Sequence, residues 1–392
     1  MPTVFTAAKL WDGAHLLDHP ILIVEDGRIL SLSTRAAAET PAIPNALDFP
    51  SATLAPSFFD VHIHGAFNHD VMEATPAALD SIGRFLATRG TGAYLATTVT
   101  APIDDTLRAL SGLARLLNHP AGSAPIARPI GIHLEGPFLS HLKRGVHPPE
   151  HLQPADIALF DRFYDAAEGH VRLMTLAPEL PGAPELAAHA TRRGVRVSVG
   201  HSNATAAETR AVIAAGAVSA THTFNAMRSL DQREPGILGV ALAEDSLYAE
   251  LICDGIHTTP EIVRIWSRSK GPHRAILVTD AMSATGMPDG DYRLGGLTVT
   301  VANGRATSGD VLAGSVLTLD RALANFLRFT GSTLEHGLRL LTTNPAALIR
   351  PLGSPGFTSS AGHLAPGLPA NFVAVNPDGT LAASFLHGHL VA

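Results

Sequence analysis

Eight short apolar runs, spaced by amphipathic stretches, occupy the chain from about Ala55 to about Pro345, and no other feature limits its fold so strongly. The runs are Phe58 to His64, Ala93 to Thr98, Pro129 to Glu135, Val171 to Leu176, Val195 to Gly200, Val218 to His222, Tyr248 to Cys253 and Ala275 to Asp280. Between and after them, apolar residues recur at helical spacing: Leu79, Ile82, Phe85 and Leu86 make one stripe, and Leu319, Leu323, Phe326 and Leu327 another. Eight β/α repeats close into a parallel barrel, so the expected class is α/β with a TIM-like (β/α)8 barrel.

The flanks follow a different pattern. Residues 3 to 50 hold short strand-like pieces joined at turns, and in Ile21 to Leu30 the pair Asp26-Gly27 between apolar runs signals a hairpin. The tail from Gly362 repeats this with Asn371 to Val375 followed by the turn Asn376-Pro377-Asp378-Gly379. Both ends are expected to pair into a small β-sandwich domain of residues 1–54 and 346–392, leaving 55–345 for the barrel. The Gly-, Pro- and Ser-rich stretch Gly353 to Gly362 serves as the return linker. A chain of 392 residues with 46% hydrophobic but only 5% aromatic residues can fill such a barrel with a tight aliphatic core.

A formal charge of -7 leaves no basic stripe, which argues against nucleic acid as a partner. The single Cys253 rules out an internal disulfide framework and suits a reducing compartment. The first residues lack a basic region followed by a long apolar stretch, and no window of 18 apolar residues is free of charge. A soluble, cytoplasmic protein with no membrane partner is the expectation.

His62 and His64 in Asp60-Val61-His62-Ile63-His64 stand at i and i+2 of a strand, so both imidazoles face one side at its end. Later strands end alike: His133-Leu134-Glu135-Gly136-Pro137, Gly200-His201-Ser202-Asn203, Thr221-His222-Thr223-Phe224-Asn225 and Thr279-Asp280-Ala281. Functional groups of such barrels collect at the C-terminal strand ends, and the joint occurrence of these residues there points to a metal centre. Glu135, His201 and His222 supply one carboxylate and two imidazoles and leave room for water, as a catalytic zinc-type site requires. The pKa of bound water would fall far below that of bulk water, to about 7. Asp280 is placed to take its proton and pass it to a leaving amine. His62 and His64 would add a second metal bridged by Glu135.

Taken together with Asn203-Ala204-Thr205, Asn225-Ala226-Met227, Arg233-Glu234-Pro235-Gly236 and Asp254-Gly255-Ile256-His257, these motifs resemble the N-acetylglucosamine-6-phosphate deacetylases of the amidohydrolase superfamily. The resemblance runs over most of the barrel. It implies that Glu135, His201 and His222 bind an essential divalent metal, with His62 and His64 suggesting a two-metal form, and that Asp280 is the acid/base. His147, beside Val146 in Lys143-Arg144-Gly145-Val146-His147, matches the histidine that polarises the substrate carbonyl. Asn225 and Ala226 would hold the sugar, Arg233 and His257 the phosphate, one of them supplied across a homodimer interface, and Leu312-Ala313-Gly314 would form another substrate loop. Zinc is the expected metal, one or two ions per chain, with Fe2+ or another divalent ion as the alternative. The implied reaction converts N-acetyl-D-glucosamine 6-phosphate, a small-molecule amino-sugar phosphate, to D-glucosamine 6-phosphate and acetate in amino-sugar catabolism and recycling.

Other readings stay open at this level. The galacto epimer is one, and another amidohydrolase, such as a cyclic-amide hydrolase or deaminase, a second. Many two-metal relatives bridge with a modified lysine on the fourth strand, but Leu173 to Glu179 has none, which favours Glu135 as the bridge. A non-catalytic sugar-phosphate sensor would usually lack a ligand or the acid/base, and none is missing. Apart from the resemblance, Arg233 reads as a surface ion-pair former, His257 as a residue before the helix start Thr258-Thr259-Pro260, and His147 as an ordinary loop residue. Ser57 where Gly is usual, and the irregular segment Ile349 to Gly362, are the departures from the family pattern.

Overall fold

In the computed structural model, which describes residues 1–35, 45–119, 124–350 and 361–392, the apolar runs form eight parallel strands that neighbour one another in chain order. They are Phe58–Ile63, Thr91–Thr98, Arg128–Glu135, Val171–Leu176, Arg196–Val199, Ala217–Ala220, Tyr248–Ile252 and Ala275–Val278. Helices cover them, two of them docked by the stripes visible in the sequence. Pro76–Ala87 buries Leu79, Ile82, Phe85 and Leu86, and Leu319–Thr330 buries Leu319, Leu323, Phe326 and Leu327. Thr75 starts the first of these helices by accepting the Ala78 N–H, and Pro76 occupies its first turn, where no amide donor is needed.

The ring closes where the eighth strand returns to the first, and it closes mainly at one end. Backbone bonds from Asp280 N to His62 O (2.9 Å) and from His64 N to Ala281 O (2.8 Å) join the two strands just past their C-terminal ends. Below them a buried carboxylate links the seam: Asp60 Oδ2 accepts the Thr279 hydroxyl at 2.6 Å, and Oδ1 accepts the His62 N–H at 3.2 Å. The barrel interior is unusually polar for a fold normally filled by branched aliphatics. His133, for instance, spans from the Val61 carbonyl to the Thr175 hydroxyl, which continues through Thr221 to Ser198.

Both chain ends join one eight-stranded sheet beside the barrel. Leu47–Pro56 runs parallel to Thr3–Trp11 and antiparallel to Phe372–Val375. Phe5 packs edge-on against Phe372 (4.9 Å between centroids) and Phe385 (5.1 Å), so residues from opposite ends of the chain share one aromatic cluster. The hairpin Pro20–Glu25 and Arg28–Thr34 turns at Asp26 and Gly27, both with positive φ (49° and 75°), the two-residue turn that suits twisted strands. Most of the linker read from Gly353 to Gly362 lies outside the described residues. A four-stranded antiparallel sheet, Gly290–Leu294, Leu297–Ala302, Arg305–Ser308 and Val311–Leu312, follows the eighth strand and was not expected from the sequence.

The seam bond is testable. Thr279→Val removes the shortest hydrogen bond of the buried Asp60 carboxylate and should lower stability by about 1–3 kcal/mol. Denaturant unfolding of the metal-free protein measures this; a wild-type midpoint would show that Asp60 does not depend on Thr279.

Candidate metal centre

Several strands leave the barrel through a residue in the left-handed region, and these are the residues of interest: His201 (φ 45°), His222 (φ 26°) and Asp280 (φ 50°). Such backbone is sparsely populated for residues with a Cβ and persists only where the surroundings hold it. Here Ser315 N donates to Asp280 O at 2.7 Å, and Glu250 O accepts the Thr223 N–H at 2.8 Å. The kinks turn the side chains inward over the barrel mouth. Gly314 permits the closest approach, since its φ is +61° and a Cβ there would lie 3.0 Å from the Asp280 carbonyl oxygen.

Glu135 is the hub. Its Oε1 lies 3.3 Å from His62 Nε2, 3.2 Å from His201 Nε2 and 3.1 Å from His222 Nε2, and its Oε2 lies 3.2 Å from His64 Nε2. Asp280 Oδ1 is 3.2 Å from His64 Nε2 and 3.6 Å from His62 Nε2. The opposite ring nitrogens are held from behind: His64 Nδ1 at 3.1 Å from the Thr97 carbonyl, His201 Nδ1 at 3.1 Å from the Lys143 carbonyl, and His62 Nδ1 at 3.3 Å from Glu250 Oε2. Each ring therefore carries its proton on Nδ1 and turns Nε2 toward the centre, the tautomer a metal ligand needs.

The donor set fits divalent cations. His62 Nε2 is buried without a hydrogen bond among the described residues, although it points at two carboxylates. His201 and His222 bring their Nε2 atoms to 3.0 Å of each other. Ligand-type atoms of His62, His64 and Asp280, and separately of Glu135, His147 and His201, lie within 4.8 Å of one another. Asp60, Glu135, Glu250 and Asp280 are all buried here, and the only buried Lys or Arg among the described residues is Lys270, on the outer helix Pro260–Arg274. Burial pushes Asp60 up to about 7, while Glu135, Glu250 and Asp280 are the carboxylates that face the site imidazoles, and divalent cations would offset their charge.

Without a cation these groups answer to one another. Burial would push Glu135 up, but the His62 charge and the imidazole hydrogen bonds pull it well below the usual carboxylate range. Burial likewise opposes protonation of His64, yet the Asp280 and Glu135 carboxylates outweigh it and raise it to about 9. Asp280, its burial offset by His64 and His62, falls to about 2.

His147 differs in kind. The Thr100 hydroxyl lies 2.8 Å from its Nδ1 and the Thr100 backbone N–H donates to the same nitrogen at 3.3 Å, so that nitrogen is an acceptor and the ring proton sits on Nε2, which faces Glu135 Oε2 at 3.7 Å. Burial, reinforced by the charge of His201, depresses its pKa to about 3 and keeps it neutral. It is a hydrogen-bond donor aimed into the site.

A cavity of about 710 Å³ opens over this centre, walled by His64, Glu135, Val146, His147, His201, His222, Asn225, Ala226, His257, Asp280, Leu312 and Gly314. Most residues picked out in the sequence thus meet in one place, with His62 buried directly behind. Besides His62, two more do not line it: Ala313 is buried beneath the four-stranded insert, and Arg233 is exposed on the loop before the helix Gly236–Ala243. His257, at the cavity wall, is gripped through Nδ1 by Asp254 Oδ2 at 2.6 Å, while Asp254 Oδ1 accepts the N–H groups of Ile256 and His257. Thr175, at the fourth-strand register opposite Glu135, is engaged with His133.

Three carboxylates escaped the sequence reading: Asp60, Glu250 and Asp254. The signal for the first two was a charged residue inside a run otherwise apolar enough to be wholly buried, where a carboxylate needs a partner.

Residues 53–391 match the amidohydrolase family. The chain is 34% identical to an N-acetylgalactosamine-6-phosphate deacetylase of Escherichia coli O157:H7, with both sequences covered in full. It is 33% identical to an N-acetylglucosamine-6-phosphate deacetylase of Bacillus subtilis (strain 168), covering 94% of this chain and 91% of the relative. Among solved structures, an N-acetyl-D-glucosamine-6-phosphate deacetylase of Mycobacterium smegmatis, an aspartate-to-alanine variant in complex with N-acetyl-D-glucosamine-6-phosphate, superposes with a TM-score of 0.90 at 35% identity, covering 100% of this chain and 99% of that one.

Because His64 is held protonated up to about pH 9 in the metal-free centre, a cation must displace that proton. Metal uptake near neutral pH should release protons, and apparent affinity should rise as pH climbs from 6 toward 9. Calorimetric titration in two buffers of different ionisation enthalpy checks this; proton-neutral binding would contradict it.

Proposed function

The chain belongs to the amidohydrolase family, among its N-acetylhexosamine-6-phosphate deacetylases, and from that premise we propose that it hydrolyses the acetamide of N-acetyl-D-glucosamine 6-phosphate to D-glucosamine 6-phosphate and acetate. One observation carries the reading: an ionised carboxylate, a neutral imidazole donor and a ligand cluster converge on a cavity that also exposes His257. We assign Glu135, His201 and His222 to one divalent cation and His62, His64 and Glu135 to a second, zinc in both cases. When bound, such cations polarise a carbonyl and lower the pKa of water.

The chain's own groups do the rest. His147 Nε2–H donates to the amide oxygen as charge builds there. Asp280, held ionised, accepts a proton from the attacking water and returns it to the nitrogen as the carbon–nitrogen bond breaks. Asn225, Ala226, Val146 and the Leu312-Ala313-Gly314 loop orient the sugar. His257, braced by Asp254, donates to the phosphate, so binding energy far from the amide positions the carbonyl. Arg233, lying outside its own chain's cavity, would reach a phosphate from the neighbouring subunit of a homodimer. We place the small domain at 1–54 and 346–392, the barrel at 55–345, and the enzyme in the cytoplasm.

The galacto epimer is the second reading, favoured by the Escherichia coli relative, identical at 34% over both full lengths. Acetate release from N-acetylglucosamine 6-phosphate, its galacto epimer and the unphosphorylated sugar, compared side by side, decides among them. Highest kcat/KM on the gluco phosphate supports the proposal; equal turnover without phosphate would refute it.

Asp280→Asn keeps the shape but removes the proton acceptor, and turnover should fall by roughly two to four orders of magnitude with metal content unchanged. Near-normal turnover would mean that another group carries the proton. Arg233→Ala should cost activity on the phosphorylated sugar, and mixing it with Asp280→Asn should restore some. Half the dimers of a random one-to-one mixture are hybrids with one intact site of two, so about a quarter of wild-type activity is expected. No recovery after subunit exchange would place Arg233 outside the neighbour's site.

A further inference from the structure

Glu250 is fully buried in the middle of the seventh strand, Tyr248–Ile252, whose other central residues are apolar. Among the described residues its one ion-pair partner is His62. Its Oε2 accepts twice, from His62 Nδ1–H at 3.3 Å and from the His222 backbone N–H at 3.3 Å, while its Oε1 is buried without a hydrogen-bond partner among the described residues. A carboxylate so poorly satisfied is costly to bury unless positive charge lies near. The nearest place for such charge is one ring away, at His62 Nε2.

The three ligand rings whose Nδ1–H donates differ in what lies behind them. His64 and His201 lean on the carbonyls of Thr97 and Lys143, whereas His62 alone leans on a carboxylate. A carboxylate behind an imidazole fixes its tautomer and raises its basicity more than a carbonyl does, and so strengthens it as a ligand. The same oxygen holds the amide of His222, whose backbone is itself in the left-handed region (φ 26°).

We propose that Glu250 is a positioning residue that makes His62 a metal ligand and thereby determines whether the first-strand pair holds a second divalent cation. This rests on the two-metal reading above, and the experiment separates the two. Zinc is titrated into metal-free wild type, Glu250→Gln and Glu250→Leu against a competing chelator, with elemental analysis of the saturated proteins. Wild type should take two equivalents. Glu250→Leu should bind the second equivalent about 10–100-fold more weakly and keep the first, and Glu250→Gln, which retains an acceptor for Nδ1–H but loses the charge, should fall between.

Selective loss with partial rescue by glutamine marks positioning, whereas equal weakening of both equivalents would mark a general structural role and overturn the proposal. So would unchanged second-site affinity in both variants. Should Glu250→Leu fail to fold, as circular dichroism would show, the isosteric Glu250→Gln decides alone, an unchanged second affinity overturning the proposal. A wild type that never takes a second equivalent overturns the two-metal reading, and this inference with it.

Discussion

One carboxylate, that of Glu135, faces the Nε2 atoms of four imidazoles contributed by three other strand ends, and the rest of the molecule can be understood as holding that meeting together. Like-facing imidazoles at about 3 Å repel when protonated, and when neutral with the proton on Nδ1 they turn lone pairs on one another and on the carboxylate. Metal cations resolve the conflict by replacing protons with a charge that all the donors share. The low dielectric of the barrel makes the same groups costly without one and strong with one.

The scaffold meets this demand by two devices. Left-handed residues at three strand ends turn side chains across the barrel axis, which extended strands could not do, because successive side chains would alternate between interior and helix layer. Hydrogen bonds then fix four of the rings from behind, whereas His222 Nδ1 is buried without a partner among the described residues. The partners are varied, a carbonyl for His64 and His201, a carboxylate for His62, and a backbone amide for His147. That variation separates ligand from donor: the rings that give up an Nδ1 proton present a lone pair to the centre, and the ring that receives one presents a proton.

Size alone would have pointed elsewhere. A cavity of about 870 Å³ lies between the small sheet and the Pro76–Ala87 helix, and although Glu25, Asp26, Asp80, His387 and His389 are among the residues that wall it, none of them forms a metal-type cluster among the described residues. Chemistry distinguishes the smaller one. The small sheet and its shared phenylalanine cluster bring the two chain ends to one side of the barrel, away from the mouth where the Gly290–Leu312 insert stands.

Much of this was legible in the sequence. Apolar runs of fixed spacing demand burial on both faces, and eight of them with helical stripes leave little choice but the barrel. Strand-end histidines and acids then fall at one end for topological reasons, so His62, His64, Glu135, His201, His222 and Asp280 could be named from order alone. The insert was missed although Leu297, Val299 and Val301 alternate and Asn303-Gly304 marks a turn, because such short runs look the same in a loop. Asp60, Glu250 and Asp254 were missed because what a buried carboxylate touches depends on strands far apart in the chain. Which ring donates and which ligates, and that Arg233 stands outside its own cavity, are likewise decided only by the tertiary structure. Burial and topology are properties of pattern, which a sequence carries; hydrogen-bond partnership is a property of distance, which only the folded chain sets.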